Sequence, residues 1–227
     1  MKLYDFVKRG TLHDYRRIWQ LQKQLSASVG QNIKDGYLIL VEHAPVYTCG
    51  KRIAGWSSSE EAARLRALGA DTVDTDRGGL ITFHGPGQLV AYPVVDVTNY
   101  GLKRYIHDME QVLIDTCTSL GLKGTSRFGE AGVAVDGQRK LGFIGVSHAQ
   151  GKVMHGASLN VNVDLKWFKE IVPCGHVGLQ ITNLRDELPE SNLTMSDVSS
   201  VYKNCFGRVF SVTLEPQINT ALKLNTE

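Results

Sequence analysis

The sequence predicts an α/β (α+β) fold, a single domain in which a mixed β-sheet is flanked by helices. Three observations carry that expectation. Short apolar runs of strand type alternate with stretches whose apolar residues recur at helical spacing. Residues 132–163 read as β almost without interruption, and 227 residues at 42% hydrophobic and 21% charged suffice for one core. No repeat, low-complexity tract or Pro-rich linker divides residues 1–227, so one domain with a frayed tail at about 215–227 is expected.

Each element has its own signal. Thr11 and Asp14 mark a helix start, and Tyr15, Ile18, Trp19, Leu25 and Val29 supply an apolar stripe ending near Gly30; this helix is expected to be scaffold. Residues 37–41 are continuously apolar, a buried strand that delivers His43 to its end. Serines and acidic residues open a short helix at 57–68. Strands at 80–83 and 89–97 flank a His-Gly-Pro-Gly turn. A helix at 103–120, closed by Gly121, aligns Ile106, Met109, Leu113, Cys117 and Leu120. Strands at 132–135 and 140–146 flank Asp136-Gly137, and another at 153–163 follows Gln150-Gly151. In that strand Leu159, Val161 and Val163 alternate with Ser158, Asn160 and Asn162, predicting one core face and one polar face. A short helix at 164–171 leads to Pro173-Cys174-Gly175, and a helix at 196–206 with a strand at 208–214 closes the fold.

Composition narrows the function. A net charge of +2 gives no reason to expect nucleic acid, and no apolar run is long enough to cross a bilayer, so neither nucleic acid nor membrane is an expected partner. Four scattered cysteines without a C-x-x-C pair argue for a reducing compartment and against a zinc site. Neither metal nor cofactor is expected. Lys8-Arg9, Arg16-Arg17, Lys51-Arg52 and Arg139-Lys140 are local basic clusters that could meet an acidic protein.

Two segments carry chemistry. The first, Arg77 to Gln88 (Arg-Gly-Gly-Leu-Ile-Thr-Phe-His-Gly-Pro-Gly-Gln), joins a short strand to two glycine-rich turns beside Arg77, His84 and Gln88. Turns of this kind let a ligand approach the backbone, and their successive N–H groups can form a nest for an oxyanion. The second is Ile171 to His176, where Pro173 and Gly175 hold Cys174 in a tight turn, the place to display a nucleophile. By contrast Cys117 and Cys205 fall on apolar helical stripes and read as core, while Cys49 ends a strand and either lines the cleft or fills core. His84 is read as lining the site, or else as anchoring its turn; His155 as bracing the pocket. His176 is too close to Cys174 in sequence to make a good dyad with it.

Together these segments resemble the octanoyltransferase family, the lipoyl(octanoyl) transferases, within the biotin and lipoate protein ligase superfamily. Four ordered motifs carry the resemblance across nearly the whole chain: Glu42-His-Ala-Pro-Val-Tyr-Thr48, Arg77 to Gln88, Lys140-Leu-Gly-Phe-Ile-Gly145 with His155-Gly-Ala-Ser-Leu-Asn160, and Pro173-Cys174-Gly175. Ser158 departs from the family pattern, in which alanine is expected. The resemblance implies a biotin/lipoate ligase-type catalytic domain that moves an octanoyl group from octanoyl-acyl carrier protein to a lysine of lipoyl-domain proteins, such as glycine cleavage H protein and 2-oxoacid dehydrogenase E2 subunits. It implies Cys174 as the acyl-thioester nucleophile and Lys140 as the group that lowers its pKa and later acts as base. It assigns the acyl pocket to Arg77, Gly78, Gly79, Leu80, Ile81, Thr82, Phe83 and His84, with Phe143, Ile144, Gly145, Gly156, Ala157 and Ser158. A bulky residue at Gly156 is therefore expected to block the acyl chain while sparing the fold. Two alternatives stay open, an ATP-dependent lipoate or biotin ligase and a non-enzymatic acyl-binding module. The run 164–175 resembles eukaryotic, mitochondrial members, with a bacterial cytoplasm as the alternative location.

Overall fold

The structure, a computed structural model, describes residues 1–7, 10–127, 130–176 and 178–217. Its frame is an eight-stranded mixed sheet in the order β11-β1-β2-β6-β10-β9-β8-β7. The strands are β1 (Lys2–Asp5), β2 (Tyr37–Val41), β6 (Gln88–Asp96), β7 (Gly124–Arg127), β8 (Glu130–Val135), β9 (Arg139–Ala149), β10 (Lys152–Asn160) and β11 (Glu215–Pro216). β1 runs parallel to β2 and β11, and the remaining pairs are antiparallel. A second, three-stranded sheet, which the sequence reading did not separate, joins β3 (Val46–Cys49) to β4 (Asp71–Asp74) in parallel and to β5 (Ile81–His84) antiparallel.

Helices cover both faces of the large sheet. On one lie α3 (Leu102–Ser119) and α6 (Met195–Phe210), whose Tyr105, Met109, Leu113, Cys117, Tyr202, Cys205 and Phe206 share a core with Leu38, Leu40, Leu89 and Leu159. On the other, α1 (Tyr15–Ala27) sets Tyr15, Ile18 and Leu21 against Ile39, Val41, Val90 and Val94. Asp14 caps α1 by accepting from the Arg17 amide at 2.9 Å, as the Thr11/Asp14 signal foretold. A third apolar cluster, with Tyr47, Cys49, Trp56, Phe83, Phe143 and Phe168, packs on the three-stranded sheet beside α2 (Glu60–Ala67) and α4 (Lys166–Lys169).

The departures lie where tertiary packing outweighs local pattern. The expected strand 208–214 does not form: residues 208–210 continue α6, because Phe210 closes on Phe206 with ring centroids 4.6 Å apart, and Ser211 then ends the helix at φ 53°. Only Glu215–Pro216 reach the sheet. The helix read over 164–171 contracts to α4, and the strand read over 153–163 stops at Asn160. Its polar face is not solvated, for Ser158 and Asn160 are both buried. Of the tail, residues 218–227 lie outside the described residues, as do Lys8 and Arg9. No helix among the described residues is long and apolar enough to cross a membrane.

Candidate active site

A cleft opens between the two sheets and α1. The turn before β5 supplies Arg77, Gly78 and Gly79; β5 supplies Thr82 and His84; β9 supplies Phe143, Ile144 and Gly145; β10 supplies His155, Gly156, Ala157 and Ser158. Tyr15, Val90 and Tyr92 complete the lining. Partly exposed Gly78, Gly79, Ile144 and Gly145 surround the open end, and buried Tyr15, His84, Val90 and Tyr92 close the inner end.

The period-two geometry of β5 divides the run assigned to the acyl pocket. Thr82 and His84 face the cleft, whereas Ile81 and Phe83 face the third apolar cluster, where Phe83 stacks on Trp167 at 5.1 Å. Leu80 lies under the Pro-Cys-Gly turn instead: a Cβ on Gly175 would stand 2.4 Å from Leu80 Cδ1, and Gly175 holds φ +78°. Arg77 braces the turn from within, donating to Thr48 O (2.6 Å), Thr48 Oγ1 (2.8 Å) and Gly78 O (2.9 Å). The nest expected from the glycine turns is partly spent on the fold. The Gly78 amide donates to Val146 O at 2.8 Å and the Gly87 amide to Glu42 Oε1 at 2.7 Å, so neither is the oxyanion donor. Gly156 also departs from expectation. A Cβ there would stand 2.2 Å from Ala91 O of the neighbouring strand, so it points into the sheet and not into the cleft.

Lys140 and the Cys174 turn are tied together through the main chain. Pro173–Gly175 form one 3₁₀ turn, and the chain leaving it bridges Ile181 to Lys140: the Lys140 amide donates to Gln180 O at 2.7 Å and the Thr182 amide to Lys140 O at 3.0 Å. Lys140 is buried, its Nζ 6.0 Å from the centre of the Phe143 ring, and Phe143 lines the cleft. The Cys174 side chain lies outside the described set. His176 is exposed. Cys49 is buried in the third apolar cluster; burial, the largest influence on its thiol, raises the pKa.

The inner end holds a cluster of rings that sequence reasoning saw only in pieces. His43 meets Tyr92 OH at 2.9 Å and His13 O at 3.0 Å, and burial pulls its pKa down to about 4. His84 stacks parallel to Tyr15, and burial, then the nearby His43, pulls it down to about 3. His155 bonds Asp76 through Nε2 (2.6 Å) and Tyr15 OH through Nδ1 (3.2 Å), with its amide held by Gln22 Oε1 at 2.7 Å. It does so at φ +59°, a conformation that costs a non-glycine residue on the order of 1–3 kcal/mol and persists only because those partners hold it. Tyr15, on the helix read as scaffold, is thus a cleft residue; nothing in its helical stripe distinguishes it from core. Asp76 had a local signal in its place before Arg77.

The other basic clusters are engaged in the fold. Arg16 pairs with Asp71 and Arg139 forms a fork on Glu187 (2.9 Å for both contacts), while Lys51 and Arg52 are both exposed. Among the described residues no three His, Cys, Asp or Glu side chains converge as a metal site would require.

The sequence family described as the lipoyl protein ligase A/B catalytic domain matches residues 14–207. The mitochondrial octanoyl-[acyl-carrier-protein]:protein N-octanoyltransferase LIPT2 of Xenopus tropicalis is 45% identical over 186 residues, 81% of this chain and 76% of that protein. An octanoyltransferase of Salinispora tropica is 39% identical over 188 residues, covering 80% and 84%. Among solved structures, a bipartite lipoate protein ligase of Thermoplasma acidophilum, determined within a study of that ligase and its E2 lipoyl domain, superposes with a TM-score of 0.77 over 96% of this chain and 87% of that one; at 15% identity it speaks for the fold alone. With that match across most of its length and two relatives near 40% identity, the chain belongs to the lipoyl protein ligase A/B catalytic domain family.

Proposed function

We propose that this protein is an acyltransferase that carries an octanoyl group from octanoyl-acyl carrier protein, through a thioester on Cys174, to a lysine of lipoyl-domain proteins. The observation that supports it most is the main-chain tether between the Pro-Cys-Gly turn and buried Lys140, beside a cleft lined by Phe143, Ile144 and Ala157. In the first half-reaction the Cys174 thiolate forms a C–S bond to the acyl carbon and the carrier leaves as its thiolate, which takes the proton that the Lys140 ammonium gives up. The Lys140 ammonium stabilises the attacking thiolate. In the second half-reaction the acceptor amine forms the C–N bond and the C–S bond breaks, returning its electron pair to sulfur. A neutral Lys140 receives the proton that nitrogen loses.

Thr82, His84, Gly145 and Ser158 wall the acyl chain in this reading, while Leu80 supports the nucleophile turn and Ile81 and Phe83 support the wall from behind. The relatives' names favour octanoyl-acyl carrier protein as donor; glycine cleavage H protein and 2-oxoacid dehydrogenase E2 subunits are the proposed acceptors. The mitochondrial relative favours a mitochondrial location, with the bacterial cytoplasm as the alternative that the Salinispora relative fits. Incubation with octanoyl-acyl carrier protein and a lipoyl domain, without ATP, tests the reaction. A gain of one octanoyl group on Cys174, followed by its passage to the domain, is the expected result. Strict ATP dependence would establish the ligase reading instead, and labelling without transfer the binding module.

A further inference from the structure

The inner end of the cleft contains an acceptor that an alkyl chain cannot satisfy. A chain of amide groups fixes its character. Thr182 O can only accept, so Asn160 presents Nδ2 to it at 3.0 Å and turns Oδ1 toward Gln88. Gln88 Nε2 donates to that Oδ1 at 2.9 Å and to Phe83 O at 3.3 Å, leaving Gln88 Oε1 to face His84 Nδ1 at 2.7 Å. An amide oxygen there requires His84 to carry its proton on Nδ1. His84 Nε2 is therefore a bare lone pair, with no hydrogen-bond partner among the described residues, on a side chain that lines the cleft and is 8% exposed. Burial keeps the ring neutral at physiological pH, so Nε2 does not become a donor.

A second polar atom on the same face of β5 is also unsatisfied. Thr82 Oγ1 is buried without a partner, two residues before His84. Two other hydroxyls close by are already occupied: Tyr92 OH is paired with His43, and Tyr15 OH with His155. An acceptor and a hydroxyl together match a ligand group that both donates and accepts.

Building on the proposed octanoyl transfer, we infer that His84 Nε2 and Thr82 Oγ1 form a subsite for a hydroxyl group at the distal end of the acyl chain, so that hydroxylated medium-chain acyl groups are a further substrate class. The hydroxyl donates to His84 Nε2 and accepts from Thr82. A carbonyl in its place would turn one acceptor toward another, and Nε2, cut off from solvent by the ligand, would remain unpaired. The chemistry of transfer is unchanged, since the subsite touches only the far end of the chain.

The test uses the whole protein and two thioesters alike in length and shape, 7-hydroxyoctanoyl and 7-oxooctanoyl, with octanoyl as reference. Acylation of Cys174 is followed by intact mass. The hydroxyl compound is expected to be preferred over the ketone by about tenfold in kcat/KM, since an unpaired buried acceptor costs on the order of tenfold or more. His84→Leu should erase that preference, and Thr82→Val should reduce it. Equal use of the two probes by the parent overturns the inference, as does a preference that survives in His84→Leu. A parent that excludes both probes while accepting octanoyl overturns it too and indicates that a bound water alone uses the site. Should His84→Leu fail to fold, the comparison of the two probes in the parent still decides. A parent that never acylates with octanoyl refutes the proposed function itself, a result distinct from each of these.

Discussion

Replacing Gly156 with alanine is expected to damage the fold and not the acyl pocket. The β10–β6 ladder pairs Ala157 with Ala91, and the new Cβ would stand 2.2 Å from Ala91 O and 2.7 Å from Pro93 Cδ. The first of these is backbone at the centre of the sheet, so it cannot swing aside; the strands must part by about 0.8 Å to reach even the tightest tolerable contact. Overpacking of this kind costs about 1–3 kcal/mol and more where backbone must move, and in a chain of this size about 3 kcal/mol lowers Tm by roughly 6–12 °C. Gly145→Val provides the contrast. Its Cβ meets Arg77 Cδ at 3.3 Å and Gly78 O at 3.8 Å, at the open end of the cleft, so the side chain takes space from the acyl group with little strain. Thermal unfolding and the rate of Cys174 acylation, measured on both variants, separate the effects: Gly156→Ala should melt early, and Gly145→Val should melt near the parent yet acylate at least tenfold more slowly. A Gly156→Ala protein with the parent Tm would refute the geometric reasoning, and so would a Gly145→Val protein with the parent rate.

Acid should destabilise the protein through its buried histidines. His43 is held from an ordinary 6.5 down to about 4, so the unfolded chain binds its proton first and stability falls as pH drops from about 6.5 toward 4; this contributes roughly 3 kcal/mol. Urea unfolding across that window should show the loss, and a flat profile would contradict it. Phe83→Ala should cost about 3–5 kcal/mol, because the ring is fully buried against Tyr47, Trp167 and Phe168; denaturation at neutral pH measures it. Cys174→Ala should show no acyl adduct by intact mass. Lys140→Ala should acylate slowly, with partial rescue at high pH, and Lys140→Arg should acylate better than the alanine variant and then stall as acyl-enzyme, since arginine keeps the charge but cannot serve as a neutral base. Normal turnover by Lys140→Arg would remove Lys140 as the base.

The parts of the fold that were legible in the sequence are those decided within one element. Residues 37–41 match their expected limits because five consecutive apolar residues suit a strand buried against α1 on one face and in the core shared with α3 and α6 on the other. The long helix α3 lies within one residue of its expected start and end, since its apolar stripe is regular and Gly121 follows it. Residues 208–214 misled because Val209, Phe210 and Val212 suit a strand as well as a helix, and the contact of Phe210 with Phe206 and Tyr105 decides between them. The contact with Tyr105 spans two helices, and no local window contains it.

The candidate site was legible for a different reason and to a different depth. Its motifs are dense in glycine and proline, which mark tight backbone even without a structure, and Arg77, His84, Lys140 and Cys174 all stand in or beside such segments. What each side chain faces depends on pairing at a distance. Thr82 and Phe83 are neighbours in sequence, yet one lines the cleft and the other the apolar cluster, because β5 lies between two different surfaces and its residues alternate. Gln88 illustrates the same limit more sharply. In sequence it is only the last residue of a turn motif, but Asn160 comes from β10 and Thr182 from the segment that follows the Cys174 turn. The hydrogen-bond chain from Lys140 O through Thr182, Asn160 and Gln88 to His84 therefore links the two motif regions: the segment that tethers the nucleophile turn also fixes the proton on the ring at the inner end of the cleft. A substitution at Asn160 should thus disturb both ends of the site at once, which neither motif alone would suggest.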